Sequence, residues 1–331
     1  MKVAASYSLP ELLVWTRRRL YLLLVFALVP VVLYRLLGQG WAAVPWPVAV
    51  LLGTAASFIV GFKNAQTYQR TLEAQQVWGT LVGLSRYWGL LCRDFPTQPG
   101  HTRRLVMRHL AWLTVLRYQL RTPRRWEAAH RGANAEYRER HFRVPEADTP
   151  LSDELARFQP DTDGAAPGAL QLIAQQSAAL RELYTAQQLA VLHHTEMQKT
   201  LKDLLDQQGR AERLKNFPYP RQYAAINRCF VWSFAALLPW CLVREFDRLN
   251  EMVGAPLAGH MVWATVPFAM LVGWMYLALD LVGESTENPF EGGANDVPIS
   301  QMSRQIEIEL RQLLGDTELP PALSPSHDIL L

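Results

Sequence analysis

Cysteine is scarce in this chain of 331 residues, which contains three: Cys92, Cys229 and Cys241. The three are scattered, and no Cys-x-x-Cys pair or other metal-ligand spacing includes them. Cys229 and Cys241 fall in an apolar run, where a thiol behaves as a small hydrophobic side chain. The sequence therefore predicts no metal site built on cysteine.

Catalytic motifs and strand signals are also missing. The chain has no nucleophile elbow, no HExxH, no phosphate-binding glycine loop and no GxGxxG. Alternating apolar and polar runs with hairpin turns are nearly absent. No run of interleaved basic and aromatic residues favours nucleic-acid binding. These absences predict an all-α protein that is not an enzyme, has no cofactor or metal, and has no nucleic-acid partner.

Long apolar runs, in contrast, are abundant, and half of the residues are hydrophobic. Four runs stand out: Leu20 to Leu37, Pro45 to Phe62, Cys229 to Val243 and Met252 to Leu279. A helix needs about 20 apolar residues to span the hydrocarbon core. The third run has 15 and reaches that length only if Arg228 or Arg244 extends its charge to the interface. We predict four transmembrane helices.

Basic residues orient these spans, because Lys and Arg near span ends remain in the cytoplasm. Arg17 to Arg19 precede the first run. Basic residues also mark one end of the next two runs: Lys63 and Arg70 follow the second run, and Arg221 precedes the third. Both termini are therefore predicted inside. The division is residues 1–62 with the first two spans, 63–221 as a cytoplasmic helical domain, 222–285 with the last two spans, and 286–331 as a cytoplasmic segment.

Helical periodicity continues through the cytoplasmic domain. It predicts helices at Gln69 to Cys92, His101 to Gln119, Arg124 to Phe142, Ser152 to Phe158 and Ala169 to Gln208, and one more in the C-terminal segment, at Ile306 to Leu314. Glycine, proline and aspartate between Gln159 and Gly168 indicate an exposed loop. The proline-rich residues after Leu314 are predicted to form a tail.

The segment from Pro47 to Arg70 joins an apolar helix to a polar helix without a turn signal. Within it Thr54, Phe58 and Phe62 are spaced i, i+4 and i+8, which places them on one helical stripe. Copies of such a stripe around an axis would form apolar rings, and these gate ions by excluding water. The alternative is that both phenylalanines pack against neighbouring helices.

Two separate segments resemble the bestrophin family. SFIVGFKNAQTYQR, with VWG at Val77 to Gly79, is similar to the second transmembrane helix of that family. ENPFEGGANDVPI is similar to its signature after the last span, through Asn288, Pro289, Phe290, Asn295 and Asp296. The resemblance runs from about Trp15 to about Pro320. It implies an ion channel of the bacterial inner membrane, a homopentamer whose partners are its own copies, monovalent ions and lipid.

The resemblance also implies roles for individual residues. It makes Thr54, Phe58 and Phe62 the pore neck, although the family commonly has isoleucine at the first position. It places a second constriction, the cytoplasmic aperture, near Leu192, beside His193 and His194. Protonation of these histidines near pH 6 would then favour anions.

Charge near the neck bears on ion choice. Lys63 and Arg70 flank the neck and would concentrate anions at the inner mouth, unless Lys63 merely reaches the interface. We therefore expect an anion channel that passes chloride. The alternatives are a sodium or other monovalent-cation channel, or a membrane-anchored scaffold that recruits a cytoplasmic partner.

Two possible ion sites are weak. Animal bestrophins have an acidic calcium clasp after the last span, but here Glu291 and Asp296 are the nearby acids, separated by glycines. Calcium gating is therefore not expected. His193 and Glu196, one helical turn apart, make at most half of a metal site.

Overall fold

The computed structural model describes residues 1–4, 6–38, 40, 43–96, 98–130, 132–158, 167–252, 254 and 259–331. These residues form eleven α-helices: α1 (Leu9–Arg35), α2 (Trp46–Asp94), α3 (Pro99–Arg121), α4 (Gly132–His141), α5 (Pro145–Asp148), α6 (Leu151–Ala156), α7 (Ala169–Thr185), α8 (Val191–Asn216), α9 (Arg221–Arg248), α10 (Thr265–Ser285) and α11 (Ile299–Leu313). Two 3₁₀ turns, Leu249–Glu251 and Met261–Ala264, precede α10. In the described parts there is no β-strand, only isolated bridges near the termini. The predicted all-α class is confirmed.

Helix α2 is continuous over 49 residues. At 1.5 Å per residue it extends over about 70 Å, more than twice the hydrocarbon thickness of a membrane. It begins at Trp46, where Pro45 and Pro47 suit a helix start, and no proline interrupts it afterwards. The predicted division between residues 62 and 63 falls inside this helix. One element therefore joins the membrane-length part of the chain to the polar part.

The first half of α2 packs with α9 and α10. Its small residues Gly53 and Ala56 are buried, and Gly53 lies where a side chain would meet the ring of Phe234 on α9. Three described helical stretches are long and apolar enough to cross a membrane: Trp46–Asp94, Arg221–Glu251 and Met261–Ser285. These observations make the chain a membrane protein.

The second half of α2 packs with α3, α8 and α11 in a separate core. Trp78, Trp88 and Trp112 are fully buried there, and Trp112 donates to Gln208 Oε1 on α8 at 2.8 Å. Gly89 of α2 lies against Leu310 of α11, where no larger side chain fits. A second rigid core thus surrounds the polar half of α2.

The helix predicted from Ala169 to Gln208 is in fact two helices. The break lies between Thr185 and Val191, where Gln187 adopts a left-handed φ of 57°. The amides of Gln187 and Gln188 return to carbonyls of the preceding turn, and Leu189 is buried in the core. No glycine or proline marks this break, so no local signal predicts it.

The helix predicted from Arg124 to Phe142 is shorter than expected. Residues 124–130 form turns and irregular structure, and α4 begins only at Gly132. The amides of Ala128 and Ala129 donate to the carboxylate of Glu291. Because those amides serve a distant carboxylate, they cannot also form helical hydrogen bonds.

Other boundaries differ less. In the fourth apolar run, regular α-helix begins at Thr265, and α11 begins at Ile299, one turn or more before the predicted start. The loop predicted from Gln159 to Gly168 lies outside the described residues except for Pro167 and Gly168. The tail has no helix, and its last residues pair with Lys2 and Val3 near the N-terminus.

Candidate pore-lining surface and its support

The predicted neck residues lie on one uncovered face of α2. Phe58 is 78% exposed and Phe62 is 52% exposed, and Thr54 lies on the same side. Between them, Ala56 and Val60 face the opposite way and are buried. The two rings therefore do not pack into their own subunit, which was the alternative interpretation. This uncovered face is called the front face below.

The front face continues into the polar half of α2. Its exposed members as far as Tyr87 carry no charge: Ala65, Gln69, Leu72, Gln76, Thr80, Gly83 and Tyr87. The charged residues of this stretch pair away from the face, and the exposed Asp94 at the end of α2 pairs with Arg93. Arg86 binds Glu309 at 2.7 Å, and Glu73 binds Arg213. A surface about 50 Å long thus offers uncharged groups.

Thr54 uses its hydroxyl hydrogen within the helix. Its Oγ1 donates to the carbonyl of Val50 at 2.8 Å. The oxygen remains on the front face with its lone pairs, so it can accept a hydrogen bond or contact a cation. It has no second hydrogen with which to bind an anion.

Lys63 lies elsewhere than predicted. It is 4% exposed, and its ammonium contacts Asp280 Oδ1 at 2.8 Å, on the back of α2. One helical position turns a side chain by about 100°, so Lys63 shares the buried face of Val60 while Phe62 does not. The expected positive charge at the inner mouth is therefore absent, because the ion pair neutralises it.

Asp280 is the centre of this arrangement. Besides Lys63, its carboxylate accepts from Asn227 Nδ2 at 2.6 Å and from Arg19 Nη1 at 3.3 Å. Residues of α1, α2, α9 and α10 thus meet at one buried carboxylate. Sequence reasoning missed this residue, although an acidic residue inside an apolar helix is a signal in itself.

Arg70 also faces inward, contrary to the prediction. Its Nε donates to the carbonyl of Glu287 and its Nη2 to that of Leu214, each at 2.9 Å. The guanidinium therefore joins α2 to the segment after α10 and to the end of α8. It does not supply charge to the front face.

The signature segment after α10 forms a compact buried loop. Phe290 is in the core, and Val297 donates its amide to the carbonyl of Pro289 at 3.2 Å. Asn295 accepts from the hydroxyl of Tyr7 at 2.9 Å, and the amide of Asn288 donates to Glu291. The loop thus connects the N-terminal segment to the end of α10.

Both acidic side chains of this loop, Glu291 and Asp296, already accept hydrogen bonds from backbone amides. Asp296 Oδ2 accepts from the amides of Gly292 and Gly293 at 2.8 and 2.9 Å. Burial and the neighbouring Asp296 raise the pKa of Glu291 to about 8. The described residues contain no group of three potential metal ligands. Calcium independence stays a prediction. The backbone amides that donate to Asp296 take the place that a cation would need.

The three residues predicted at the cytoplasmic aperture have different surroundings. Leu192, in the first turn of α8, is 78% exposed. The ring of His193 stacks on Phe95, with centroids 3.9 Å apart, and that of His194 stacks on Tyr184 at 5.0 Å. Both imidazoles therefore lie against aromatic rings of their own chain.

Comparison with curated proteins finds relatives along most of the chain. The voltage-dependent anion channel-forming protein YneE of Escherichia coli K12 is 25% identical over 89% of this chain and 84% of its own. The same protein of Salmonella typhi is 24% identical over 92% and 88%. A voltage-dependent anion channel-forming protein of Mesorhizobium japonicum is 25% identical over 84% and 77%.

Solved structures share the fold. A crystal structure of a bacterial bestrophin homolog from Klebsiella pneumoniae matches 91% of this chain and 98% of its own, with a TM-score of 0.70 and 24% identity. A D179A variant of that homolog matches with the same TM-score and 25% identity. The family model for the bacterial/fungal bestrophin protein matches residues 11–312. The chain therefore belongs to the bacterial/fungal bestrophin family, a family of ion channels and not of enzymes.

Proposed function

We propose that five copies of this chain form a ring around an axial anion pore lined by the front face of α2. The observation that carries the proposal is the exposure of Phe58 and Phe62 on a helix whose opposite face is firmly packed. A single subunit leaves these rings uncovered at membrane depth, and one helix cannot enclose an aqueous route. A closed ring is the symmetric solution.

In such a ring the neck is hydrophobic. Phe58 and Phe62 would each contribute one ring of aromatic side chains, one helical turn apart, and Thr54 would lie one turn further out. Apolar rings raise the free energy of water in the constriction, so the neck conducts only when it is wet. Leu192, exposed on α8, would line the second constriction at the cytoplasmic exit.

The membrane arrangement follows from the exposed apolar surface. Helix α1 exposes Tyr21, Leu22, Val25 and Val29, and α10 exposes Phe268, Leu271, Met275 and Leu279. We take α1 as a fourth span beside α2, α9 and α10, in a bacterial inner membrane. Arg17 and Arg18, together with Arg140 on α4, surround Glu136 at the predicted cytoplasmic end of α1. Both termini then lie in the cytoplasm.

Anion selectivity is proposed from the relatives, whose names describe anion channel-forming proteins. It cannot be attributed to Lys63 or Arg70, because both are turned inward. A cation-selective pore is the second candidate. The observation that favours it is Thr54, whose exposed oxygen offers lone pairs and no free hydrogen.

A reversal-potential measurement tests the proposal. Purified protein is incorporated into planar bilayers with a KCl gradient, and the potential at zero current is recorded. We expect a potential close to the chloride equilibrium value. A potential close to that of potassium would support the second candidate, and protein that is inserted and assembled but passes no current would favour a scaffold that recruits a partner.

A further inference from the structure

Lys63 directly follows the neck residue Phe62, yet its charge is hidden. The ammonium lies 2.8 Å from Asp280 Oδ1 and 3.3 Å from the Asp280 carbonyl. Among the described residues, Asp280 is the one carboxylate within 4 Å of this ammonium. The neutral inner mouth therefore depends on a single acid on α10.

The other cation at this carboxylate is less dependent on it. Arg19 lies 3.3 Å from Asp280, but it also lies 3.3 Å from Glu284 and donates to the carbonyl of Leu277. If Asp280 lost its charge, Arg19 would keep an acidic partner. Lys63 alone would become a buried cation without one.

An uncompensated buried ammonium costs several kcal/mol, which a flexible lysine avoids by moving its charge to water. In a ring built as proposed above, the ammonium would turn past the exposed Gln66, one helical turn from Lys63, towards the water of the front face. Several ammonium groups around one narrow mouth would raise the local anion concentration and repel cations.

On the basis of that function, we propose that Asp280 determines specificity by masking the charge of Lys63. In this account the wild-type pore has an inner mouth without net charge, and the acid on α10 sets how strongly the channel discriminates between anions and cations. Asp280 contacts no permeating ion; it acts through Lys63.

The test measures reversal potentials of variants in planar bilayers under a KCl gradient. We expect Asp280→Asn to raise the ratio of chloride to potassium permeability about two- to fivefold. The double variant Asp280→Asn with Lys63→Met should return to the wild-type ratio, because the unmasked charge is gone. Asp280→Glu, which keeps the ion pair, should leave the ratio unchanged.

Lys63→Met by itself gives an independent test. Asp280 keeps Asn227 and Arg19 in this variant, so assembly and the wild-type permeability ratio should be retained. A lower chloride preference in Lys63→Met would show that Lys63 already acts on ions, and loss of assembly would also contradict the account. If Asp280→Asn does not assemble, the permeability ratio of Lys63→Met tests the masking role instead.

The outcomes separate the two proposals. Wild-type protein that assembles but passes no current would refute the proposed function. Wild-type protein that conducts, together with an Asp280→Asn channel of unchanged reversal potential, would refute the masking role and leave the channel intact.

Discussion

The two faces of α2 differ sharply although they belong to one helix. On the back, Gly53 and Ala56 allow neighbouring helices to approach, Lys63 binds Asp280, and Trp88 is fully buried. On the front, two phenylalanines are followed by exposed, uncharged residues as far as Tyr87. A helix of 49 residues is thus held from one side only.

The back face contains the polar contacts that fix the rotation of α2 about its axis. The hydroxyl of Tyr276 donates to the carbonyl of Gly53 at 3.2 Å, and Asn64 donates to the carbonyl of Leu279 at 3.2 Å. Thr71 donates to the carbonyl of Thr286 at 3.2 Å. Because these bonds are distributed over five turns, they determine which residues face front. Function can then reside on a surface that contributes little to folding.

The largest expected effect comes from changing the front face at the proposed neck. Replacing Phe58 and Phe62 together by Ala removes two apolar rings and lowers the wetting barrier. A decrease of about 1.4 kcal/mol in that barrier corresponds to a tenfold rise in current. Single-channel recording in bilayers measures it.

The matched control for the neck is Val60→Ala on the buried back face. It should reduce stability without a comparable rise in current. An assembled double variant with wild-type conductance would show that the front face is not the neck.

Steric change gives the second test of the comparison. Gly89→Leu forces a side chain into Leu310 and Leu313 of α11, and such overpacking costs about 1–3 kcal/mol. Gly83→Leu adds the same side chain on the front face, where no atom lies within 4 Å. Thermal denaturation, monitored by size-exclusion chromatography, should show a clear loss of stability for Gly89→Leu only. Equal losses would mean that both faces are packed.

The third prediction concerns pH and the loop behind α2. The pKa of Glu291 is raised from 4.5 to about 8, so the folded state favours its protonated form. That stabilising contribution is complete below about pH 4.5 and is lost as pH rises through about 8. The wild type should therefore lose stability over this range, on the order of a few kcal/mol.

Glu291→Gln provides the comparison for that pH dependence. The variant keeps a neutral group of similar shape, so its thermal midpoint should change less with pH than that of the wild type. Parallel curves for the two proteins would argue against the raised pKa.

A smaller effect is expected at the cytoplasmic exit. His193 and His194 stack on Phe95 and Tyr184, which keeps their rings off the exposed side of Leu192. Acidifying the cytoplasmic side should therefore raise anion current by less than about twofold. Replacing both by Gln should remove that change. A large rise that survives this replacement would place the titrating group elsewhere.

No effect is expected from calcium. The Asp296 carboxylate is already bound by two glycine amides, so micromolar calcium should neither open nor close the channel. Asp296→Ala should destabilise the loop without altering any calcium response. Current that switches on with calcium in the wild type and not in this variant would overturn the prediction.

Much of the difference between the two faces of α2 was predictable from sequence. The continuity of α2 followed from the lack of a turn signal, and the spacing of Thr54, Phe58 and Phe62 placed them on one face. The family resemblance identified the signature loop. Periodicity and local chemistry were sufficient because these features depend on neighbours within one or two helical turns.

The remaining features depend on partners distant in the chain. Lys63 is buried because Asp280, 217 residues later, offers a carboxylate. The turns before α4 form because Glu291 binds two amides about 160 residues earlier. The break at Gln187 has no glycine or proline and follows from the burial of Leu189. Local propensity cannot report such contacts.

Thiol block of channels with one introduced cysteine tests the central claim most directly. In a Cys229→Ser background, whose other cysteines Cys92 and Cys241 are buried, Phe62→Cys is compared with Val60→Cys in planar bilayers. A water-soluble, bulky thiol reagent should block the current of Phe62→Cys rapidly and leave that of Val60→Cys unchanged. Equal reactivity at the two positions, or modification at position 62 without any change in current, would contradict an axial pore lined by the front face of α2.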